Sequence, residues 1–328
     1  MPSFIIVVGA SAGGLDVLCK LASTFPDGLD AAIFIVLHLS SQSNDHFLTT
    51  RLQQYTSLPC ELAQDGLPIQ KGHIYIAAVD HHLIVKQSNM YITQGPAENR
   101  WRPSIDVLFR AAAVYYNERA IGIILTGLLD DGTLGMQAIQ QCGGTCIVQD
   151  PREATFPDMP QSVLENTMVD FVLPVNGMSE VIQHTISNKR VSGVEVPEYL
   201  KAEAAMVEKT ITAIDEVSKL GKHTVYSCPD CGGGLWEINE GEQAHMRCHI
   251  GHVYTENELL SKQFESLNGT LWVALRMMEE RRNLLKKISN DEKTKNLHGL
   301  ATMHTERAKE LETHIKNLKE LLFNVKFD

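Results

Sequence analysis

Phe4-Ile5-Ile6-Val7-Val8-Gly9-Ala10-Ser11-Ala12-Gly13-Gly14-Leu15 joins a run of apolar, largely β-branched residues to a glycine-rich turn that opens an amphipathic segment. An unbroken apolar run of this kind suits a strand covered on both faces, as in a parallel sheet. The same type recurs at Ala31–Leu37, Ile121–Leu125, Thr145–Val148 and Phe171–Leu173. Helical patterns fall between them, at Leu15–Ala22, Pro103–Tyr116 and Thr133–Gln141. Strand–helix alternation predicts an α/β domain over residues 1–190, a doubly wound, mostly parallel, Rossmann-like sheet. His73–Ala77, Leu83–Lys86 and Met90–Thr93 follow one another without helix-length spacers and predict an antiparallel hairpin insertion.

Beyond this domain the patterning changes. Residues 191–222 read as a helical connector containing Ala202–Ile214, residues 223–255 as a small cysteine-bearing module, and residues 256–328 as two long helices joined near Ser289–Lys295. In the last helix Leu297, Ala301, His304, Ala308, Leu311, Ile315, Leu318, Leu322 and Val325 alternate steps of four and three, a heptad seam. Leu260, Phe264, Leu267, Leu271, Ala274 and Met278 continue the idea in the first, predicting an antiparallel helical hairpin.

Composition narrows the function classes. The 328 residues carry 29 Lys and Arg against 40 Asp and Glu, a net charge of −11. No basic cluster suggests a nucleic-acid groove. No apolar run approaches the ~20 residues of a membrane helix, and the N-terminus lacks a signal-peptide pattern. The expectation is a cytoplasmic protein with neither nucleic acid nor membrane insertion among its partners. An odd count of seven cysteines argues against a pure disulfide framework.

The glycine-rich turn also carries chemistry. Ser11 sits where a helix begins, so backbone N–H groups and the helix dipole favour a developing oxyanion. Gly9-Ala10-Ser11-Ala12-Gly13 matches the Gly-x-Ser-x-Gly pattern of an exposed nucleophile. His38 directly follows the second buried run and precedes a polar loop, Ser40-Ser41-Gln42-Ser43-Asn44. Leu125-Thr126-Gly127-Leu128-Leu129-Asp130-Asp131-Gly132 puts two carboxylates beyond a third run. In open α/β sheets functional groups gather at the carboxyl ends of strands. A serine, a histidine and a carboxylate at three such ends predict a nucleophilic hydrolase with triad logic. The alternative for Asp130 and Asp131 is capping of the helix Thr133–Gln141.

Residues 1–185 resemble the catalytic domain of the CheB family of bacterial chemotaxis protein-glutamate methylesterases. The matching strings are Gly9–Gly14, His38, Gly72-His73-Ile74-Tyr75-Ile76-Ala77 with His82-Leu83, Arg102–Phe109, Leu125-Thr126-Gly127 through Asp131-Gly132, and Gln149-Asp150-Pro151 with Met159-Pro160. The resemblance implies a cofactor-free hydrolase that demethylates glutamate γ-methyl esters on chemoreceptors and releases methanol, with glutamine deamidation in some relatives. It implies Ser11 as nucleophile, His38 as base and Asp131, rather than Asp130, as the orienting acid. It also implies an oxyanion site at the backbone N–H of Leu128, aided by Ala12. Two departures stand out. The catalytic strand opens the chain without a receiver domain, so a response regulator acting in trans is the expected controller. Leu129 replaces a usual glycine, and a leucine resists positive φ, so a different loop geometry is expected.

Cys228-x2-Cys231 is followed after 16 residues by Cys248-x3-His252. Thiolate and imidazole pairs at knuckle spacing predict a closed, structural zinc site. The stand-alone relatives favour His252 as fourth ligand, with His249 and His245 as alternatives. Cys142 and Cys146 lack a second pair and read as core residues. Two further readings stand beside the esterase. One is a signalling adaptor of the same fold, or a hydrolase of another carboxyl ester. The other is a nucleotide-binding loop at residues 9–14, in which Ser11 replaces the second fingerprint glycine and no acid follows the second strand.

Overall fold

A computed structural model of the chain describes residues 2–39, 45–207, 214–239 and 243–324. The Ser40–Asn44 loop, part of the Ala202–Ile214 connector and Val325 of the heptad seam lie outside these residues. The chain divides into two compact units, Met1–Glu256 and Asn257–Asp328.

The first unit is built on seven strands: β1 (Phe4–Ala10), β2 (Ala31–Leu37), β3 (Cys60–Leu62), β4 (Ile74–Ile76), β7 (Ala120–Ile124), β8 (Thr145–Gln149) and β9 (Phe171–Leu173). Their order is β3-β4-β2-β1-β7-β8-β9, and every pairing is parallel. β1, β2, β7 and β8 are buried along their whole length. Helices α1 (Gly14–Ala22), α2 (Asp45–Gln53), α3 (Ile105–Tyr116), α4 (Thr133–Gln141), α5 (Asp158–Asn166), α6 (Val175–Asn188) and α7 (Glu198–Val207) cover the sheet. One face packs Ile6, Val8, Ile33 and Ile35 against Leu18, Leu21, Met178 and Ile182. The other packs Ile5, Val7, Phe34 and Val36 against Phe109, Met136 and Ile139. Alternate strand residues thus serve opposite layers, as the period of two requires. β1 lies between β2 and β7, where the winding direction reverses.

Two expectations about strands are corrected. Only β5 (His82–Lys86) and β6 (Asn89–Thr93) form the antiparallel hairpin, while Ile74–Ile76 is a parallel strand of the main sheet. Phe171–Leu173 is an edge strand, with Phe171 and Val172 exposed. Cys142 and Cys146 belong to the core; burial pushes the Cys142 thiol up to about 12.

After α8 (Ile214–Leu220) come β10 (Lys222–Ser227), β11 (Gly234–Ile238), β12 (His245–Cys248) and β13 (Val253–Thr255), a four-stranded antiparallel sheet in that order. The second unit holds α9 (Glu256–Thr294) and α10 (His298–Asn324), so the turn falls at residues 295–297, later than expected. Ala301, Ala308, Ile315 and Leu322 are buried at seven-residue intervals, and the last two pack against Leu271, Leu275 and Met278. Leu260, Leu267 and Leu297 are exposed, outside the seam. Among the described residues, no helix is long and apolar enough to cross a membrane.

Candidate active site and cysteine cluster

The sheet brings three predicted residues to one end. Ala10 closes β1 opposite Leu37 of β2, and the His38 N–H donates to the Ala10 carbonyl at 3.1 Å. The Ser11 N–H donates to the Thr126 carbonyl, beyond β7, at 3.0 Å. Ser11 and His38 are therefore the first residues past two neighbouring strands. Gly127 runs close beside the serine: a Cβ there would lie 2.8 Å from Ser11 Cβ and 2.0 Å from Met159 Sδ. Only glycine fits. The Gly127 N–H is taken by the Phe156 carbonyl at 2.9 Å. Among the described residues, no hydrogen bond takes the N–H of Leu128 or Ala12.

His38 Nε2 donates to Asp131 Oδ2 at 2.9 Å, and both side chains are almost completely buried. An ionised carboxylate only accepts, so Nε2 carries a proton and donates to it. His38 Nδ1 is buried without a hydrogen-bond partner among the described residues. The Trp101 ring stacks on the imidazole, with centroids 3.9 Å apart and planes 9° from parallel.

Asp131 is held by more than His38. Ser104 Oγ donates to it at 2.9 Å, the Ile105 N–H at 2.7 Å and the Asp106 N–H at 3.2 Å, so it serves the N-terminus of α3. Asp106 reciprocates, accepting the N–H groups of Gly132 at 3.0 Å and Gly135 at 2.6 Å at the start of α4. The alternative reading, capping of α4 by the Asp130 or Asp131 side chain, is not what is seen: the carboxylate at its start comes from α3. Burial works to raise the Asp131 carboxyl, but the hydrogen bond and charge of His38, with Ile105 and Ser104, bring it below the usual carboxylate range. Asp106 moves the other way, lifted by burial and then by the charge of Asp131.

Leu129 adopts φ 66°, and Gly132 takes φ 103°. The leucine thus accepts the left-handed conformation that leucines resist, which costs a non-glycine residue about 1–2 kcal/mol. Leu128 and Leu129 are both nearly half exposed.

The cysteine module forms a second cluster. Ligand atoms of Cys228, Cys231, Cys248 and His252 all lie within 4.8 Å of one another. Cys231 Sγ is 3.8 Å from Cys248 Sγ, and His252 Nδ1 is 3.6 Å from Cys228 Sγ and 3.5 Å from Cys248 Sγ. A cation bonded to sulfur at about 2.3 Å sets tetrahedral neighbours roughly 3.6–3.8 Å apart, so the donors fit. Hydrogen bonds from Cys248 and His252 hold the Cys228 thiol down to about 3, while Cys248 is pushed up by its bond to that sulfur and by burial. Three sulfurs and an imidazole nitrogen this close form a donor set that suits a cation such as zinc. His245 instead pairs with Glu203 at 2.7 Å.

Sequence reasoning missed a buried ionic tie between this module and the α/β domain. Glu98 Oε2 accepts from Arg110 of α3 at 2.6 Å, and its Oε1 from Arg247 of β12 at 3.3 Å. It also missed Trp101 and Ser104. An aromatic ring inside the polar stretch Glu98-Asn99-Arg100-Trp101 was the available signal.

The family profile described as CheB methylesterase matches residues 6–182. A Leptospira interrogans protein, provisionally named protein-glutamate methylesterase/protein-glutamine glutaminase, is 34% identical over 177 residues, 54% of this chain and 91% of that one. Proteins of that name from Methanosarcina mazei (numbered 2 there) and Hydrogenovibrio crunogenus are 34% and 36% identical over 186 residues, and this chain spans about half of each. The crystal structure of the Thermotoga maritima CheB methylesterase catalytic domain aligns with a TM-score of 0.54 at 31% identity, covering 56% of this chain and 99% of that one.

Proposed function

This chain belongs to the CheB methylesterase family, and we propose that it hydrolyses γ-methyl esters of glutamate on methylated chemoreceptors, with Ser11, His38 and Asp131 as its catalytic residues. The observation that carries the assignment is the buried His38–Asp131 pair at the strand end next to that of Ser11, with His38 Nδ1 unpartnered among the described residues.

Ser11 Oγ attacks the ester carbonyl while His38 Nδ1 takes its proton. Asp131 stabilises the imidazolium and fixes the ring. The backbone N–H groups of Leu128 and Ala12 receive the oxyanion. Methanol leaves with the proton from His38, and water, activated by the same nitrogen, cleaves the glutamyl-enzyme to glutamate. A glutamine carboxamide entering the same path releases ammonia. No cofactor enters these steps. Leu128 and Leu129 offer an apolar rim to the helix that carries the ester. Zinc on Cys228, Cys231, Cys248 and His252 would be structural, since four protein ligands close the shell. We place the enzyme in the cytoplasm, with a response regulator in trans as its controller.

The test is covalent labelling. A fluorophosphonate probe should modify Ser11, as located by peptide mass spectrometry, and fail on Ser11→Ala and His38→Ala. A stable adduct on another residue overturns the assignment.

A further inference from the structure

We propose that the Cys228–Cys231–Cys248–His252 module is a positioning clamp for the esterase site, gripping through β13 the two loops that flank His38 and Asp131. This rests on the esterase reading above.

The geometry begins one residue beyond a cluster ligand. Val253 follows His252, and its carbonyl accepts the Asn99 N–H at 3.0 Å. Asn99 and Arg100 have φ of 48° and 70°, left-handed values that an asparagine tolerates and an arginine seldom adopts. Their turn is closed by Glu98 and Trp101, each N–H donating to the other's carbonyl at 3.2 and 2.9 Å. An unfavourable turn persists where its surroundings over-determine it. Here those surroundings include the Val253 carbonyl and the buried Glu98–Arg247 pair, and Arg247 adjoins the ligand Cys248. The turn carries Trp101, the ring stacked on His38.

The second grip is two residues further along β13. Thr255 Oγ1 donates to Asp130 Oδ2 at 2.7 Å, and Thr255 is fully buried. Asp130 adjoins Asp131 and lies two residues from Leu128. Alternation along the strand turns the intervening Tyr254 the other way: its hydroxyl donates to Asp230 Oδ2 at 2.6 Å and lies 3.2 Å from Cys228 Sγ. One three-residue strand therefore touches the metal-type cluster, the turn over the histidine and the loop of the acid. With the cluster filled, β12 and β13 are fixed and both loops with them. With it empty, Trp101 and Asp130 lose their outer support while the seven-stranded core stands. Thr255 and Val253 are positioning residues; neither touches the reacting atoms.

The full-length, zinc-loaded protein tests this with Thr255→Val and Thr255→Ser. Thr255→Val should keep its zinc and its thermal midpoint. Its rate of fluorophosphonate labelling at Ser11 and its kcat for methyl-ester hydrolysis should fall about fivefold to tenfold, with KM within about twofold. Thr255→Ser should restore both rates. The His38 ring resonance should shift in Thr255→Val and in chelated wild type, and return when zinc is restored. Wild-type rates and an unmoved His38 resonance in Thr255→Val, or in metal-stripped wild type, overturn the clamp. If wild-type protein does not label at all, the esterase reading fails instead, and the His38 resonance alone decides whether the clamp exists.

Discussion

The two clusters of this molecule are assembled in opposite ways. Ser11, His38 and Asp131 come from three distant stretches and are brought to one end of the sheet because β2, β1 and β7 are neighbours in it. Cys228, Cys231, Cys248 and His252 come from one short stretch and meet because two tight turns face each other across a small antiparallel sheet. A site made by topology is as stable as the core beneath it. A site made by local turns is as stable as the ion that fills it.

The largest effect that would break this contrast is on chemistry without folding. Asp131→Asn should cut turnover by about 10³- to 10⁴-fold, since the imidazolium loses its charge partner. The family domain should still unfold cooperatively in urea, with some loss from the α3 N-terminus that Asp131 serves. A collapse of the domain instead would mean that its stability, like the module's, hangs on the site.

Metal removal probes the other side. Chelation, or Cys228→Ser, should cost the module several kcal/mol and expose residues 223–255 to limited proteolysis, while residues 1–190 remain resistant. Equal cleavage of both regions would erase the distinction.

A third prediction addresses the joint between them. Glu203 of α7 meets His245 of β12, and although burial opposes ionisation, the His245 charge and hydrogen bond bring its pKa down to about 2. An unfolded glutamate titrates near about 4.3. The depressed carboxyl therefore contributes stability that is present above about pH 4.3 and lost as pH falls toward 2. Urea midpoints measured between pH 7 and 2.5 should follow that course. Glu203→Gln should lower stability by about 3 kcal/mol at pH 7 and flatten the acid limb.

The smallest effect is local. Leu129→Gly relieves the left-handed leucine, but a glycine gains freedom in the unfolded chain. The thermal midpoint should rise by no more than about 3 °C, with KM increasing as the exposed apolar rim shrinks. A fall in midpoint would show that the leucine side chain holds the loop.

The same contrast decides what was readable in the amino acids. Cys228 to His252 could be read as one set because its spacing is its geometry. β1, β2, β7 and β8 were plain because strands buried on both faces show unbroken apolar runs. Ile74–Ile76 was misassigned to the hairpin, since a three-residue strand carries no mark of the sheet it joins. Ser11, His38 and Asp131 stood out as polar groups after such runs. Their supports did not: Trp101, Asp106 and Thr255 matter only through segments that meet in three dimensions. Leu260 and Leu267 mimicked the seam because a heptad pattern does not say where the partner helix ends.

Ser11, at the end of the central strand, is the residue proposed to open a glutamyl methyl ester. The most direct measurement is methanol release from a methylated chemoreceptor signalling domain by the zinc-loaded full-length chain, beside Ser11→Ala. Steady release by the wild type and a loss of at least about 10³-fold in the variant are expected. Equal release by both proteins would contradict that role, as would no release from any methylated receptor by a protein whose Ser11 is intact.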